Sequence, residues 1–136
     1  MQIIFDYTYK SIFSCNQVIV EAFFEAISRN QKEEILSFFT DNTVYHNIPV
    51  EPVKGFDGIW SALSPIHDIC NGIEWVVHNI AEDSQGRVLT ERNDRFEIAG
   101  KWLEIPVMGI FELTDGKITA WRDYFDMKQV TEQMPV

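Results

Sequence analysis

Two charged residues fall on the apolar side of a strand-like run between Val88 and Ile98. Alternate residues of a strand share a face, so Arg92 and Asp94 point the same way and can meet. A buried charge is costly unless it is paired and hydrogen-bonded, so we expect an ion pair. The pattern alone fits a structural brace and a catalytic pair equally well. The alternate set that contains the two residues is Val88, Thr90, Arg92, Asp94, Phe96 and Ile98.

A second carboxylate also falls on the apolar side of a strand-like run, nearer the C-terminus. Asp123 alternates with Trp121 and Phe125, whereas the opposite phase of this run is more polar and is predicted to face solvent. If Asp123 points inward, two carboxylates share a pocket with one guanidinium. Burial and like-charge repulsion then favour a proton on one carboxyl. One proton donor and one proton acceptor, separated by an arginine, are the groups that acid–base catalysis requires.

Tyr45 and Asn47 offer a phenol and an amide at alternate positions of a short strand predicted over Thr43–Ile48. Their direction is open by pattern alone, because the opposite phase of this strand could equally face inward. The histidines share no motif with an Asp or Glu of the kind found in hydrolase triads, so structural or surface roles are predicted for them. They are His46, His67 and His78.

The first half of the chain has start signals and apolar spacing that predict helices. Ser14 and Gln17 form a capping-box pattern, and apolar residues at helical spacing follow it up to Ile27. Asn30 with Glu33 repeats the start signal and predicts a second, short helix that carries four apolar residues. A third helix is predicted over Phe56–Leu63. The apolar residues of the second helix are Ile35, Leu36, Phe38 and Phe39.

Strands follow from about Ile73, where the apolar period changes from 3.6 to 2. Hairpin-type turns at Gln85-Gly86, Ala99-Gly100 and Asp115-Gly116 separate four runs. Helices followed by a meander indicate an α+β domain with a curved sheet, helices packed on one face of it, and the 43–48 strand joined to it. The runs cover residues 73–82, 87–98, 101–114 and 117–126.

The composition indicates one soluble domain over residues 1–136, with no repeats or linkers. The net charge of −10 argues against nucleic acid and anionic membranes as partners. The first ten residues lack a charged segment followed by an apolar run, which predicts no secretory signal and a cytoplasmic protein. Cys15 and Cys70 have no CxxC or zinc-ligand spacing, so reduced, buried cysteines are expected.

The outward phase of the run 101–114 is apolar, because it contains Trp102, Pro106, Met108 and Ile110. Such a surface is too large to leave wet on a monomer, so a homodimer that uses this sheet face is predicted.

Three fragments together resemble the limonene-1,2-epoxide hydrolase family, within the NTF2-like and SnoaL-like (ketosteroid-isomerase-like) cone folds. The resemblance runs from the first helix to Phe125, and it implies a curved mixed or antiparallel sheet with helices on its concave face. The three fragments together, in this order, are specific. They are Val-Tyr-His-Asn-Ile-Pro (44–49), Val-Leu-Thr-Glu-Arg-Asn-Asp (88–94) and the run 109–126, which ends in Trp-Arg-Asp-Tyr-Phe-Asp.

The resemblance also implies roles for five residues. Asp123 takes a proton from a water held by Asp123, Tyr45 and Asn47, Asp94 protonates the epoxide oxygen, and Arg92 orients both carboxylates. No metal, cofactor or covalent intermediate is implied. The segment Ser64–Cys70 matches the family poorly, which leaves the natural substrate open.

A small hydrophobic epoxide is the expected substrate, because the candidate wall residues are apolar or aromatic. Two alternatives on the same fold are an isomerase or polyketide cyclase, which needs a base and neutral donors to an enolate, and a non-catalytic binding module. Fold analogy alone cannot separate the three. The candidate wall residues are Phe96, Ile105, Val107, Phe125 and Trp75.

Overall fold

The computed structural model describes residues 15–135. The predicted cap Ser14 and the ten N-terminal residues used to argue against a secretory signal lie outside this range. The helices are α1 (Asn16–Arg29), α2 (Lys32–Leu36), α3 (Gly55–His67) and α4 (Met127–Gln133). The strands are β1 (Phe39–Asn47), β2 (Val53–Lys54), β3 (Gly72–Glu82), β4 (Val88–Ile98), β5 (Lys101–Thr114) and β6 (Lys117–Tyr124).

The six strands form one curved, open sheet in the order β2-β1-β6-β5-β4-β3. β1 runs parallel to β6 and all other neighbours are antiparallel, so the sheet is mixed. The predicted α+β fold is confirmed, as is the meander from β3 to β6. β5 has the predicted bounds, whereas β6 ends at Tyr124, two residues before the predicted end.

Two of the predicted hairpin turns in the meander have the backbone conformation expected for such turns. Ala99 and Gly100 both have positive φ angles, of 51° and 80°, and Asp115 and Gly116 have φ angles of 51° and 79°. Two consecutive positive φ angles match the twist of the flanking strands, which is why glycine stands second in each turn.

The first helix starts differently from the prediction. Cys15 occupies the N-cap position and makes no capping hydrogen bond to α1. Instead, the backbone N–H of Gln17 donates to the Glu82 carboxylate of β3 at 2.9 Å. A carboxylate from a distant strand therefore satisfies one of the free N–H groups of the helix end, and the N-cap position is Cys15 rather than Ser14.

The second helix is shorter than predicted. Asn30 adopts the left-handed conformation (φ 53°) and ends α1 rather than starting α2, whose N-cap is Gln31. Phe39 does not belong to α2, because it opens β1. α3 is longer than predicted, since it continues through Pro65 to His67.

The core lies between α1 and the sheet. Phe23 of α1 packs edge-on against Trp121, with 5.2 Å between ring centroids, and against Phe39, at 5.3 Å. Edge-to-face contacts of this kind are favourable for aromatic rings. Cys15 and Cys70 are free, as expected, but they are half-buried rather than buried. None of the described helices is long and apolar enough to cross a membrane.

Candidate active site

The buried face of β4 is the predicted one. Its residues alternate between the two faces, with Arg92 1% and Asp94 5% exposed on the inner side. Asp123 of β6 is 3% exposed and faces the same interior. The three charged groups predicted to meet are therefore all buried together.

The Arg92 guanidinium joins the two carboxylates. Its Nε donates to Asp94 Oδ1 at 2.8 Å and its Nη2 donates to Asp94 Oδ2 at 3.1 Å, which makes a bidentate fork. The same Nη2 donates to Asp123 Oδ2 at 2.6 Å, and Nη1 donates to Thr90 Oγ1 at 3.0 Å. The guanidinium also lies 4.8 Å from the ring centroid of Trp75. A planar, rigid fork of this kind fixes the relative position of both carboxyl groups.

The second oxygen of Asp123 has its own donor. The indole Nε1 of Trp121 donates to Asp123 Oδ1 at 2.8 Å. β1 lies beside this residue, because Asn47 pairs with Asp123 in the parallel register and the Ile48 N–H donates to the Asp123 carbonyl at 2.9 Å. Tyr45 stacks on Trp121 with 3.9 Å between centroids.

The pairing of β1 with its neighbours shows which of its two sets of alternate residues faces inward. Tyr45 is 5% exposed, and both Tyr45 and Asn47 line the same cavity as the two aspartates. His46 belongs to the other phase, where its Nε2 contacts the Val50 carbonyl at 2.9 Å.

Gly109 makes the close approach of the charged groups possible. It pairs with Thr90 of β4 on one side and with Asp123 of β6 on the other. A Cβ at this position would overlap Arg92 Nη1 and Asp123 Oδ1. Sequence reasoning missed Gly109, because only the cross-strand register shows that it lies beneath the ion pair.

Burial dominates the electrostatics of the site. It raises the pKa of Asp94 to about 7, although the adjacent Arg92 charge opposes this shift. Burial and the Asp123 charge raise the pKa of Tyr45 well above its ordinary value. Burial lowers the pKa of Arg92, but the two aspartates outweigh this effect and raise it, so the guanidinium stays charged. At neutral pH, Asp94 is therefore the carboxyl suited to carry a proton.

A cavity of about 310 Å³ opens beside the ion pair. Its polar wall contains Tyr45, Asn47, Asp94 and Asp123, and the rest of its surface is largely apolar. His67 also lines the cavity, although no motif in the sequence pointed to it. The five residues predicted to form the wall, which are Trp75, Phe96, Ile105, Val107 and Phe125, all line this cavity.

Within residues 15–135, no group of three or more His, Cys, Asp or Glu side chains is placed to hold a metal ion. The site offers a carboxyl with a raised pKa, a second carboxylate, a phenol and an amide around one apolar space. Such a set can hold a small polar molecule and move protons on either side of it.

Comparison with known proteins identifies a family. The model of the limonene-1,2-epoxide hydrolase catalytic domain matches residues 14–135. The epoxide hydrolase EphG of Mycobacterium tuberculosis is 34% identical over 108 residues, which cover 79% of this chain and 71% of that protein.

Solved structures agree with this match. An LEH-like epoxide hydrolase of M. tuberculosis superposes with a TM-score of 0.73 and 32% identity, over 86% of each chain. A SnoaL-like polyketide cyclase structure from Shewanella putrefaciens superposes with a TM-score of 0.76 over 87% of this chain and 94% of that one. Its identity is 14%, so this second similarity shows the fold alone.

Proposed function

The chain belongs to the limonene-1,2-epoxide hydrolase family, and we propose that it adds water to a small hydrophobic epoxide in one step, giving a vicinal diol. The observation that carries this proposal is the Arg92 fork, which holds Asp94 and Asp123 at the wall of an apolar cavity. The apolar walls suit a hydrophobic substrate and keep bulk water from the charged groups.

In the proposed reaction, Tyr45, Asn47 and Asp123 hold the attacking water. Asp123 takes one proton from this water as its oxygen bonds to an epoxide carbon. The C–O bond of the ring breaks at that carbon, and the epoxide oxygen receives the proton of Asp94. One proton has then moved from Asp94 to Asp123, so its return between the two carboxyls that Arg92 bridges restores the site.

The pKa of Asp94, raised to about 7, supports its role as the acid. An isomerase or cyclase would need neutral donors facing an enolate. A guanidinium that bridges two carboxylates is a poor match to that need, which favours hydrolysis over isomerisation or cyclisation.

Diol formation from a panel of terpene, cyclohexene and styrene epoxides tests the activity. A single turnover with excess enzyme in oxygen-18 water tests the direct attack. The diol should carry the label, because no carboxylate forms an ester with the substrate. Unlabelled diol, with label in the enzyme, would make an aspartate the nucleophile and contradict the one-step mechanism.

We also propose that the protein is a homodimer formed through the outer face of β5. Trp102 and Met108 are 43% and 52% exposed on that face. Exposed apolar side chains at this density favour burial against a second copy. Light scattering at micromolar concentration should give twice the monomer mass, and a monomer would contradict the proposal.

A further inference from the structure

Two buried side-chain polar atoms of the cavity-lining residues lack a hydrogen-bond partner. They are the Nε2 of His67 and the Nε1 of Trp75, and each exposes less than 1 Å². A buried donor or acceptor without a partner is costly and needs an explanation. Neither atom has a role in the proposed hydrolysis.

The side chain of Asn30 fixes the tautomer of His67. Its Nδ2 donates to the His67 carbonyl oxygen at 2.8 Å, so its Oδ1 is the atom that faces His67 Nδ1, at 2.9 Å. An amide oxygen can only accept, and therefore His67 Nδ1 carries the hydrogen. Burial also lowers the pKa of His67 to about 4, so its ring is neutral near pH 7 and Nε2 holds a free lone pair.

The two unpaired groups lie near one part of the cavity wall. His67, the last residue of α3, packs edge-on against Phe96 with 5.8 Å between ring centroids. Trp75 packs edge-on against the same ring at 6.2 Å. This otherwise aromatic wall therefore holds one hydrogen-bond acceptor and one donor. A hydroxyl group both donates and accepts, so it matches either kind of partner.

We propose that the substrate is an epoxide with an apolar body and one hydroxyl group, and that His67 Nε2 accepts a hydrogen bond from that hydroxyl. This inference rests on the proposed hydrolase function and narrows its substrate class to epoxy alcohols. His67 is then a specificity-determining residue, whereas Asp94 and Asp123 carry the chemistry. His67 Nε2 exposes less than 1 Å², so the hydroxyl can reach it only if the side chains that cover it move apart.

Matched substrates test the inference on the unmodified protein. Cyclohexene oxides with a hydroxyl at each available ring carbon are compared with the same isomers carrying fluorine, which keeps the size but removes the donor. For the best isomer, kcat/KM should be about 10-fold higher for the alcohol, the ratio that one hydrogen bond of ordinary net strength supplies. Equal kcat/KM for every alcohol and its fluoro analogue would overturn the inference.

The variant His67→Phe keeps an aromatic ring at the position and removes the acceptor. It should lower the alcohol-to-fluoride ratio of kcat/KM to about 1, and this ratio is independent of any change in overall rate that the two substrates share. His78→Phe changes an exposed histidine of β3 and should leave the ratio unchanged. A His67→Phe protein that is folded by circular dichroism and still prefers the alcohol would contradict the assignment.

The outcomes separate the two proposals. Failure to hydrolyse any epoxide would reject the hydrolase function itself. Hydrolysis of all of them without preference would reject only the recognition by His67. If His67→Phe does not fold, the comparison of alcohol and fluoride on the unmodified protein decides alone.

Discussion

β4 carries two arginines on opposite faces, and each one bridges two carboxylates. Arg92 contacts Asp94 and Asp123 on the inner face, at 2.8 and 2.6 Å. On the outer face, Arg95 contacts Glu74 at 2.8 Å and Glu104 at 3.0 Å. Each guanidinium also lies over a tryptophan ring, at 4.8 Å for Arg92 and 4.5 Å for Arg95.

The two clusters differ in their exposure to water. The Arg92 side chain is fully buried, whereas the side chains of Glu74 and Glu104 are 57% and 55% exposed. Water screens an exposed ion pair and leaves it little effect on stability. Removal of water raises the pKa of Asp94 to about 7 and makes a proton available at neutral pH. The comparison indicates that burial, rather than the set of residues, suits an arginine and two carboxylates to the proposed acid–base role.

The largest expected difference in kcat is between variants of the buried carboxylates and a variant of an exposed one. Asp123→Asn and Asp94→Asn should each lower kcat by about 100-fold or more, because each removes one proton-transfer role. Glu104→Gln, the matched change on the outer face, should leave kcat within about twofold, since exposed pairs contribute little. Steady-state diol formation measures all three. Near-normal turnover in Asp94→Asn or Asp123→Asn would remove that residue from the mechanism.

The arginines themselves provide the next test. Arg92→Lys should lower kcat by about 10-fold or more, because an ammonium cannot hold two carboxylates in a planar fork. Arg95→Lys keeps the charge on the face of β4 opposite the cavity, where the Arg95 side chain is 25% exposed, and it should leave kcat within about twofold. Activity and thermal unfolding are measured for both variants side by side. Equal changes in Arg92→Lys and Arg95→Lys would contradict the difference expected between the inner and outer clusters.

A pH profile sharpens the comparison further. The acid form of Asp94 is lost above about pH 7, so kcat/KM should fall by about tenfold per pH unit beyond that point. The raised pKa has a consequence for stability, since the folded state binds the extra proton more tightly than the unfolded chain. The stabilisation is complete below pH 3.8 and disappears as the pH rises through about 7. A flat profile from pH 6 to pH 9 would contradict the assignment of Asp94 as the acid.

The smallest fall in kcat among the cavity variants is expected for the tyrosine beside the two aspartates. Tyr45→Phe deletes one of the three proposed contacts to water and should lower kcat by about threefold to tenfold, because one neutral hydrogen bond is lost. The ring and its stacking on Trp121 remain, so stability should change little. A loss as large as that of Asp123→Asn would instead give the phenol a direct role in proton transfer.

Periodicity predicted much of this protein correctly. The alternation from Val88 to Ile98 placed Arg92 and Asp94 on the buried face, because strand geometry alone decides which residues share a face. The turn residues set the meander for the same local reason. Four of the five wall residues, all except Trp75, followed from the same phase argument, and all five line the cavity.

Errors arose where a distant segment decides the local structure. Phe39 fits the apolar spacing of α2, but it pairs with Ile118 of β6 and so begins a strand. The start of α1 is capped by Glu82, which lies 65 residues from Gln17 along the chain. Local propensity is a weak signal, and a long-range partner overrides it.

The sequence by itself determined the α+β class, the residues of the ion pair and the apolar wall, since each depends on spacing within one element. Tertiary structure alone decided that Tyr45 and Asn47 face the cavity, because the parallel pairing of β1 with β6 sets their phase. It also decided that Gly109 lies beneath the charged groups. Cross-strand register and burial depend on contacts between elements, and no period within a single segment records them.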